Sequence, residues 1–108
     1  MICYKFKYKG EDAPAQMIKT PCGSSIYLGI FLISGETVVL SDGVNSTTIT
    51  ATSDGYLAFS KTTPSTPSVT NYTATITGTV NEESYTHTIR IKVISSIVSY
   101  GDIMEGQG

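Results

Sequence analysis

The chain has 108 residues, a size at which one domain can bury a core without metal ions or disulfides. Seven basic residues stand against nine acidic ones and only 15% of residues are charged, which excludes the basic surface of a protein that binds nucleic acid or an anionic membrane. Most polar side chains are instead hydroxyls, from 16 Thr and 13 Ser. No apolar run approaches the length of a membrane-spanning helix. The composition favours β structure in one compact domain.

The first predicted strand runs from Ile2 to Tyr8, where apolar or aromatic residues alternate with Cys and Lys. This pattern is typical of a half-buried strand, and its lysine-rich outer face discourages edge-to-edge pairing. Residues 10–22 contain two prolines and predict an irregular connection with a short strand at 16–19. Residues 25–33 are apolar on both faces, which predicts a strand that is covered on both sides.

Short strands separated by turn signals follow. An Asp-Gly pair tolerates the positive φ that a tight turn requires, and such a pair occurs twice. The predicted strands are residues 37–40, 47–52 and 56–60, and the turns are Ser34-Gly35-Glu36, Asp42-Gly43 and Asp54-Gly55. A loop rich in Ser, Thr and Pro at residues 61–68 leads to the next strand.

Residues 72–93, YTATITGTVNEESYTHTIRIKV, contain two runs in which every second residue is apolar or aromatic. They predict a hairpin with one core face, one threonine-rich face and a charged tip at Asn81-Glu82-Glu83. The whole pattern predicts an all-β fold, an antiparallel β-sandwich of seven to eight strands, with a barrel as the competing arrangement. One domain is expected at residues 1–100, followed by a flexible C-terminal tail at 101–108.

The stretches SVTNYTATITGTV and SYTHTIRIKV resemble the final strand pair of immunoglobulin-like domains in bacterial surface proteins and bacteriophage structural proteins. STTITATSDGYLAFS resembles their middle strands, so the resemblance covers about residues 25–95 and implies an immunoglobulin-like sandwich. In antibody-type domains a disulfide Cys follows the strand-F Tyr by two residues, whereas Ala74 follows Tyr72 here and Trp is absent. Tyr72 is then either a tyrosine-corner residue or an ordinary core aromatic.

The chemically reactive groups are few. His87 is the only histidine, and we interpret it as a packing residue at the sandwich end, with one ring nitrogen hydrogen-bonded, because it lies on the apolar face of its strand. Cys3 and Cys22 lack a metal-ligand or redox spacing, and whether they form a disulfide stays open. The acidic pairs lack a calcium-loop pattern. We therefore expect no enzymatic activity, no metal and no cofactor.

Two functions remain for a non-enzymatic structural or binding module. The first is a bacteriophage virion component, an auxiliary capsid, decoration or tail-associated protein assembled in the host cytoplasm. This function is favoured because no apolar signal-peptide core follows Met1. A mature protein whose leader had been replaced by an initiator Met would have the same N-terminal sequence. Its expected partners are other protein subunits of a capsid or tail shell, with homo-oligomers left open. Tyr100, Ile103 and Met104 are the expected contact residues.

The alternative function is adhesion or carbohydrate binding by a module on a bacterial cell surface or in the secreted fraction. Seven tyrosines could form a glycan-stacking patch. Most of them fall on apolar strand faces, however, and core packing is the expectation for at least four.

Overall fold

A computed structural model describes residues 2–9 and 14–97, which form eight β-strands. The strands are β1 (Ile2–Phe6), β2 (Gln16–Pro21), β3 (Ser25–Leu32), β4 (Thr37–Ser41), β5 (Ser46–Thr50), β6 (Gly55–Thr62), β7 (Ser68–Val80) and β8 (Glu83–Ser96). Within these residues no helix is long and apolar enough to cross a membrane. The predicted all-β class and strand number are confirmed. The tail and its expected contact residues Tyr100, Ile103 and Met104 lie outside the described residues.

The strands form a three-stranded sheet in the order β1-β3-β6 and a five-stranded sheet in the order β2-β8-β7-β4-β5. Neighbours among β3 to β8 are antiparallel, but β1 pairs with β3 in parallel and β2 pairs with β8 in parallel. The predicted antiparallel arrangement is therefore wrong for the two N-terminal strands. Side-chain alternation is the same in both kinds of pairing, so the sequence pattern carried no information on strand direction.

The two sheets bury one hydrophobic core between them. β3 contributes every second side chain from Ile26 to Leu32, all of them almost fully buried. The buried core consists of Phe6, Ile26, Leu28, Ile30, Leu32, Val38, Leu40, Ala51, Phe59, Tyr72, Ala74, Ile76, Ile89, Ile91 and Val93. Burial of each large side chain contributes about 1.5 to 3 kcal/mol.

β7 and β8 form the predicted hairpin, with 13 and 14 residues. The predicted core face is confirmed, since Tyr72, Ile76 and Ile91 are buried and the threonines between them point outward. The turn is shorter than predicted, because Glu83 already pairs with Val80 in the ladder. Asn81 and Glu82 have φ values of 52° and 67°, as expected for a two-residue hairpin turn with positive φ at both positions.

Tyr72 is a residue of the buried core. Its ring is buried and Lys61 Nζ lies 5.7 Å from the ring centroid. Burial raises the pKa of the hydroxyl above its ordinary value of 10.0, and the negative charge of Asp42 adds to this effect. Cys3, which is exposed, and Cys22, which is half-buried, are both free thiols.

Two buried threonines lie near the ends of β2 and β6 and differ in their hydrogen bonds. Thr63 Oγ1 accepts from the Ser24 N–H at 2.7 Å and donates to the Pro21 carbonyl at 2.9 Å. Thr20 Oγ1 is buried without a hydrogen-bond partner in the described part of the chain. A buried hydroxyl that makes no hydrogen bond lowers stability, whereas one that ties two segments together raises it.

We predict opposite effects when each threonine is replaced by the nearly isosteric valine. Thr20→Val should raise the free energy of unfolding by about 1 kcal/mol, because it removes an unpartnered buried hydroxyl. Thr63→Val should lower it by about 1 to 3 kcal/mol, because the Ser24 N–H and the Pro21 carbonyl lose their partner. Urea denaturation of the two variants tests this, and a loss of stability in Thr20→Val would show that its hydroxyl is satisfied.

Candidate binding site at one end of the sandwich

A cavity of about 190 Å³ opens at the end of the sandwich where β3 stops and β4 begins. Its lining residues are Lys7, Tyr8, Phe31, Ile33, Glu36, Ile76 and His87. Aromatic and aliphatic side chains form most of this lining, and one ammonium and one carboxylate contribute the charge. We call this space the end cavity.

Glu36 is the most constrained charged group of the end cavity. It follows the turn at Gly35, whose φ is +95°, and only 8% of its surface is exposed. Its Oε1 accepts a hydrogen bond from the Ile33 N–H at 2.8 Å, and its Oε2 accepts one from the Tyr85 hydroxyl at 2.6 Å. This bond to Glu36 raises the pKa of Tyr85 above its ordinary value of 10.0. The carboxylate is therefore held by two donors.

Tyr85 is placed over Glu36 by the residue that lies opposite it in the hairpin. Gly78 is directly across the ladder from Tyr85, and a Cβ at position 78 would overlap the Tyr85 ring. The glycine thus leaves the space in which the ring crosses the strand and reaches the carboxylate. Sequence analysis assigned Glu36 only to a turn, because no local pattern indicates a contact across 49 residues.

His87 stacks in an aromatic group at the rim of the end cavity. Its ring centroid lies 3.9 Å from that of Tyr8 with an interplanar angle of 18°, and 5.0 Å from that of Tyr85. The predicted packing at the sandwich end is confirmed. Neither ring nitrogen of His87 forms a hydrogen bond with another described residue, so that part of the prediction is wrong.

A second surface adjoins the end cavity on the outside of the three-stranded sheet. Lys7 Nζ lies 4.6 Å from the Phe31 ring centroid, and Lys5 Nζ lies 5.3 Å from that of Tyr56. The two rings pack edge to face with centroids 5.3 Å apart. We call Lys5, Lys7, Phe31 and Tyr56 the aromatic–lysine face. Each exposed cation–π contact is worth about 0.5 to 1 kcal/mol.

The strand register explains how the aromatic–lysine face is assembled. Phe31 is paired with Tyr56 across β3 and β6, and Lys5 is paired with Gly29 across β1 and β3. Small residues at Gly29 and its neighbour Ala58 leave room for the lysine stem. The lysine-rich outer face was predicted, and among the described residues lysine and aromatic side chains cover the outer side of β3. The pairing of β6 with β3 could not be predicted from the local sequence pattern.

The tyrosines divide between core and surface. Tyr72 is buried in the core, and Tyr4 and Tyr8 pack against it. Tyr56 is 44% exposed, and Tyr27 and Tyr85 are half-buried outside the core cluster. Core packing therefore holds for three of the six described tyrosines, and the expectation of at least four is not met among them.

The described groups of the site make stacking contacts and hydrogen bonds with one another. The aromatic rings beside His87 are those of Tyr8 and Tyr85, and the Tyr85 hydroxyl donates to Glu36. Over residues 2–9 and 14–97, no three His, Cys, Asp or Glu side chains lie close enough together to hold a metal ion. No family model, no curated protein and no solved structure matches the chain.

Proposed function

We propose that the chain is a non-enzymatic, immunoglobulin-like binding module that assembles with other protein subunits as an auxiliary capsid, decoration or tail-associated component of a bacteriophage virion. The observation that carries the proposal is the aromatic–lysine face. Phe31 and Tyr56 present rigid rings, which supply contact area at low cost in side-chain entropy, as is typical of protein interfaces.

The strand order supports the immunoglobulin-like assignment. In such domains strands B and E share one sheet and strands C, F and G share the other. Here β3 and β6 share one sheet, and β4, β7 and β8 share the other in the corresponding order. β5 lies beside β4, as the additional strand of variable-type domains does. The parallel pairing of β1 with β3 is a departure from this plan.

The charge of the aromatic–lysine face defines the chemistry of its partner. Lys5 and Lys7 are both exposed, and within the described part of the chain their ammonium groups lie over aromatic rings and form no ion pair with a carboxylate. A protein surface that buries the rings would also desolvate these ammonium groups, which then need acidic partners. We therefore infer a subunit that places Asp or Glu residues opposite the two lysines.

The groups of the end cavity support a non-enzymatic role. A general base must be free to accept a proton from a bound substrate. The Glu36 carboxylate instead accepts hydrogen bonds from the Tyr85 hydroxyl and the Ile33 N–H. Each oxygen of the Glu36 carboxylate therefore already has a donor.

Co-sedimentation with particles from the native source tests the proposal. Tyr56→Ser should weaken association by about tenfold or more, because an aromatic side chain is lost from the interface. Val69→Ser is the matched control, since Val69 is 53% exposed but lies on the other sheet, and it should co-sediment like the wild type. Equal sedimentation of both variants, or no sedimentation of the wild type, would refute the proposal.

Carbohydrate binding at a cell surface is the second candidate, and the end cavity favours it. Tyr8, Phe31 and His87 line a space with apolar walls and a few polar groups, a lining that suits a sugar ring. Under this alternative, binding on a glycan array should be lost in Tyr8→Ala and retained in Tyr56→Ser. Absence of binding by the wild type would exclude the glycans on the array as ligands.

A further inference from the structure

The two sheets have four edge strands, β1, β6, β2 and β5. An open edge exposes unpaired backbone groups, and proteins protect such edges with lysine or proline. β1 carries Lys5, β6 carries Lys61, and β2 carries both Lys19 and Pro21. β5 has the sequence STTIT, with neither charge nor proline. β5 is therefore the unprotected edge among the described strands.

The hydrogen bonds that flank β5 show which of its backbone groups are free. The Asp42 N–H donates to the Asn45 carbonyl, and the Ala51 N–H donates to the Glu36 carbonyl. Hydrogen-bonded pairs alternate along an antiparallel ladder, so the register assigns Thr47 and Ile49 to bonds with β4. Ser46, Thr48 and Thr50 consequently direct their N–H and C=O groups away from the sheet.

We propose that β5 pairs antiparallel with β5 of a second copy of this chain, with Thr48 opposite Thr48 on a two-fold axis. Ser46 then lies opposite Thr50 of the other copy, and the three outward-facing positions form about six backbone hydrogen bonds. The two five-stranded sheets become one continuous sheet. An isologous contact of this kind closes on itself and stops at a dimer.

The composition of β5 favours a second copy as its occupant. Self-pairing at β1 would bring lysines together, whereas self-pairing at β5 brings threonines together, a favourable cross-strand combination. Ile49 packs against the core edge and is only half-buried, so a neighbouring strand would cover it further. Asp42 and Asp54, the carboxylates closest to β5 along the chain, accept hydrogen bonds from backbone N–H groups of Val44 and Ser34 in their own protomer.

The contact is independent of the proposed function, because it uses neither the aromatic–lysine face nor the end cavity. Five residues on each side bury much less area than a standard interface of about 1,600 Å². The dimer should therefore be weak in dilute solution. It would become populated where many copies are held close together, since tethering raises the effective concentration.

Sedimentation velocity over a concentration series up to about 1 mM tests the dimer, because that range detects a dissociation constant as weak as millimolar. Thr48→Pro removes an outward N–H and leaves the bonds to β4 in place. Thr48→Lys places two ammonium groups opposite each other across the axis and leaves the backbone unchanged. Thr48→Val keeps the N–H and the strand propensity and serves as the matched control.

The wild type and Thr48→Val should show a concentration-dependent dimer, and Thr48→Pro and Thr48→Lys should stay monomeric. Circular dichroism shows whether Thr48→Pro is folded. If it is not, Thr48→Lys still tests the proposal. The proposal is wrong if the wild type is monomeric throughout the series. It is equally wrong if Thr48→Lys dimerises as strongly as the wild type.

Discussion

Replacing Leu28 with alanine should lower the free energy of unfolding by about 2 to 5 kcal/mol. Leu28 is fully buried at the middle of β3, and β3 is the central strand of its sheet, bonded to β1 on one side and to β6 on the other. Strands paired on both sides cannot easily move to fill the space that the substitution leaves. The cost should therefore include a cavity contribution as well as lost burial.

Urea denaturation measures this effect, with Val69→Ala as the control. Val69 is 53% exposed on β7, and truncation of an exposed side chain typically changes stability by less than about 0.5 kcal/mol. If Leu28→Ala costs no more than Val69→Ala, then Leu28 does not lie in a close-packed core between two sheets.

Gly78→Ala should also lower the free energy of unfolding, by about 1 to 3 kcal/mol, because the added methyl group overlaps the end of the Tyr85 ring. The ring must move, and Glu36 then loses the hydroxyl donor at 2.6 Å. The matched control is Gly29→Ala, where the nearest atom to a new Cβ is the Tyr4 carbonyl oxygen at 3.5 Å, an ordinary contact distance. In a Tyr85→Ala background Gly78→Ala should cost little, because nothing remains to be displaced.

Titration of the tyrosines gives a second measure of the same hydrogen bond. The pKa of Tyr85 is raised in the folded protein by its bond to Glu36. A group whose pKa rises on folding stabilises the fold fully below its unfolded pKa, about 10 for tyrosine. That contribution disappears as the pH rises through the folded pKa. Gly78→Ala should return the pKa of Tyr85 toward its ordinary value, and an unchanged titration would show that the ring has kept its position.

The long hairpin was predictable because its information is local. From Tyr72 to Ile76 and from Ile89 to Val93, every second side chain points into the core, and a period of two residues fixes which face is buried. The same logic located β3. The direction of a strand could not be predicted in this way. Apolar and polar residues alternate along β1 in the same manner whether it runs parallel or antiparallel to β3.

The candidate site was predicted less completely, because it depends on contacts between distant segments. The position of His87 on an apolar face correctly predicted its packing, but its stacking partner Tyr8 comes from the other end of the chain. Glu36 and Tyr85 are likewise joined only by the fold. The sequence indicated Lys5 and Lys7 as part of an outer face, whereas their aromatic partners became apparent only with the pairing of β3 and β6. The contact role of Tyr100, Ile103 and Met104 stays a prediction.

Mass-spectrometric identification of the proteins that co-purify with this chain from its native source tests the central claim, a binding module for other protein subunits, most directly. Wild type, Tyr56→Ser and Val69→Ser would be recovered in parallel under identical conditions. We expect capsid or tail subunits with acidic surface residues to accompany the wild type and Val69→Ser, and to be depleted with Tyr56→Ser. The claim would be contradicted if no protein co-purified with the wild type. It would also be contradicted if the same partners co-purified in equal amount with the wild type and with Tyr56→Ser.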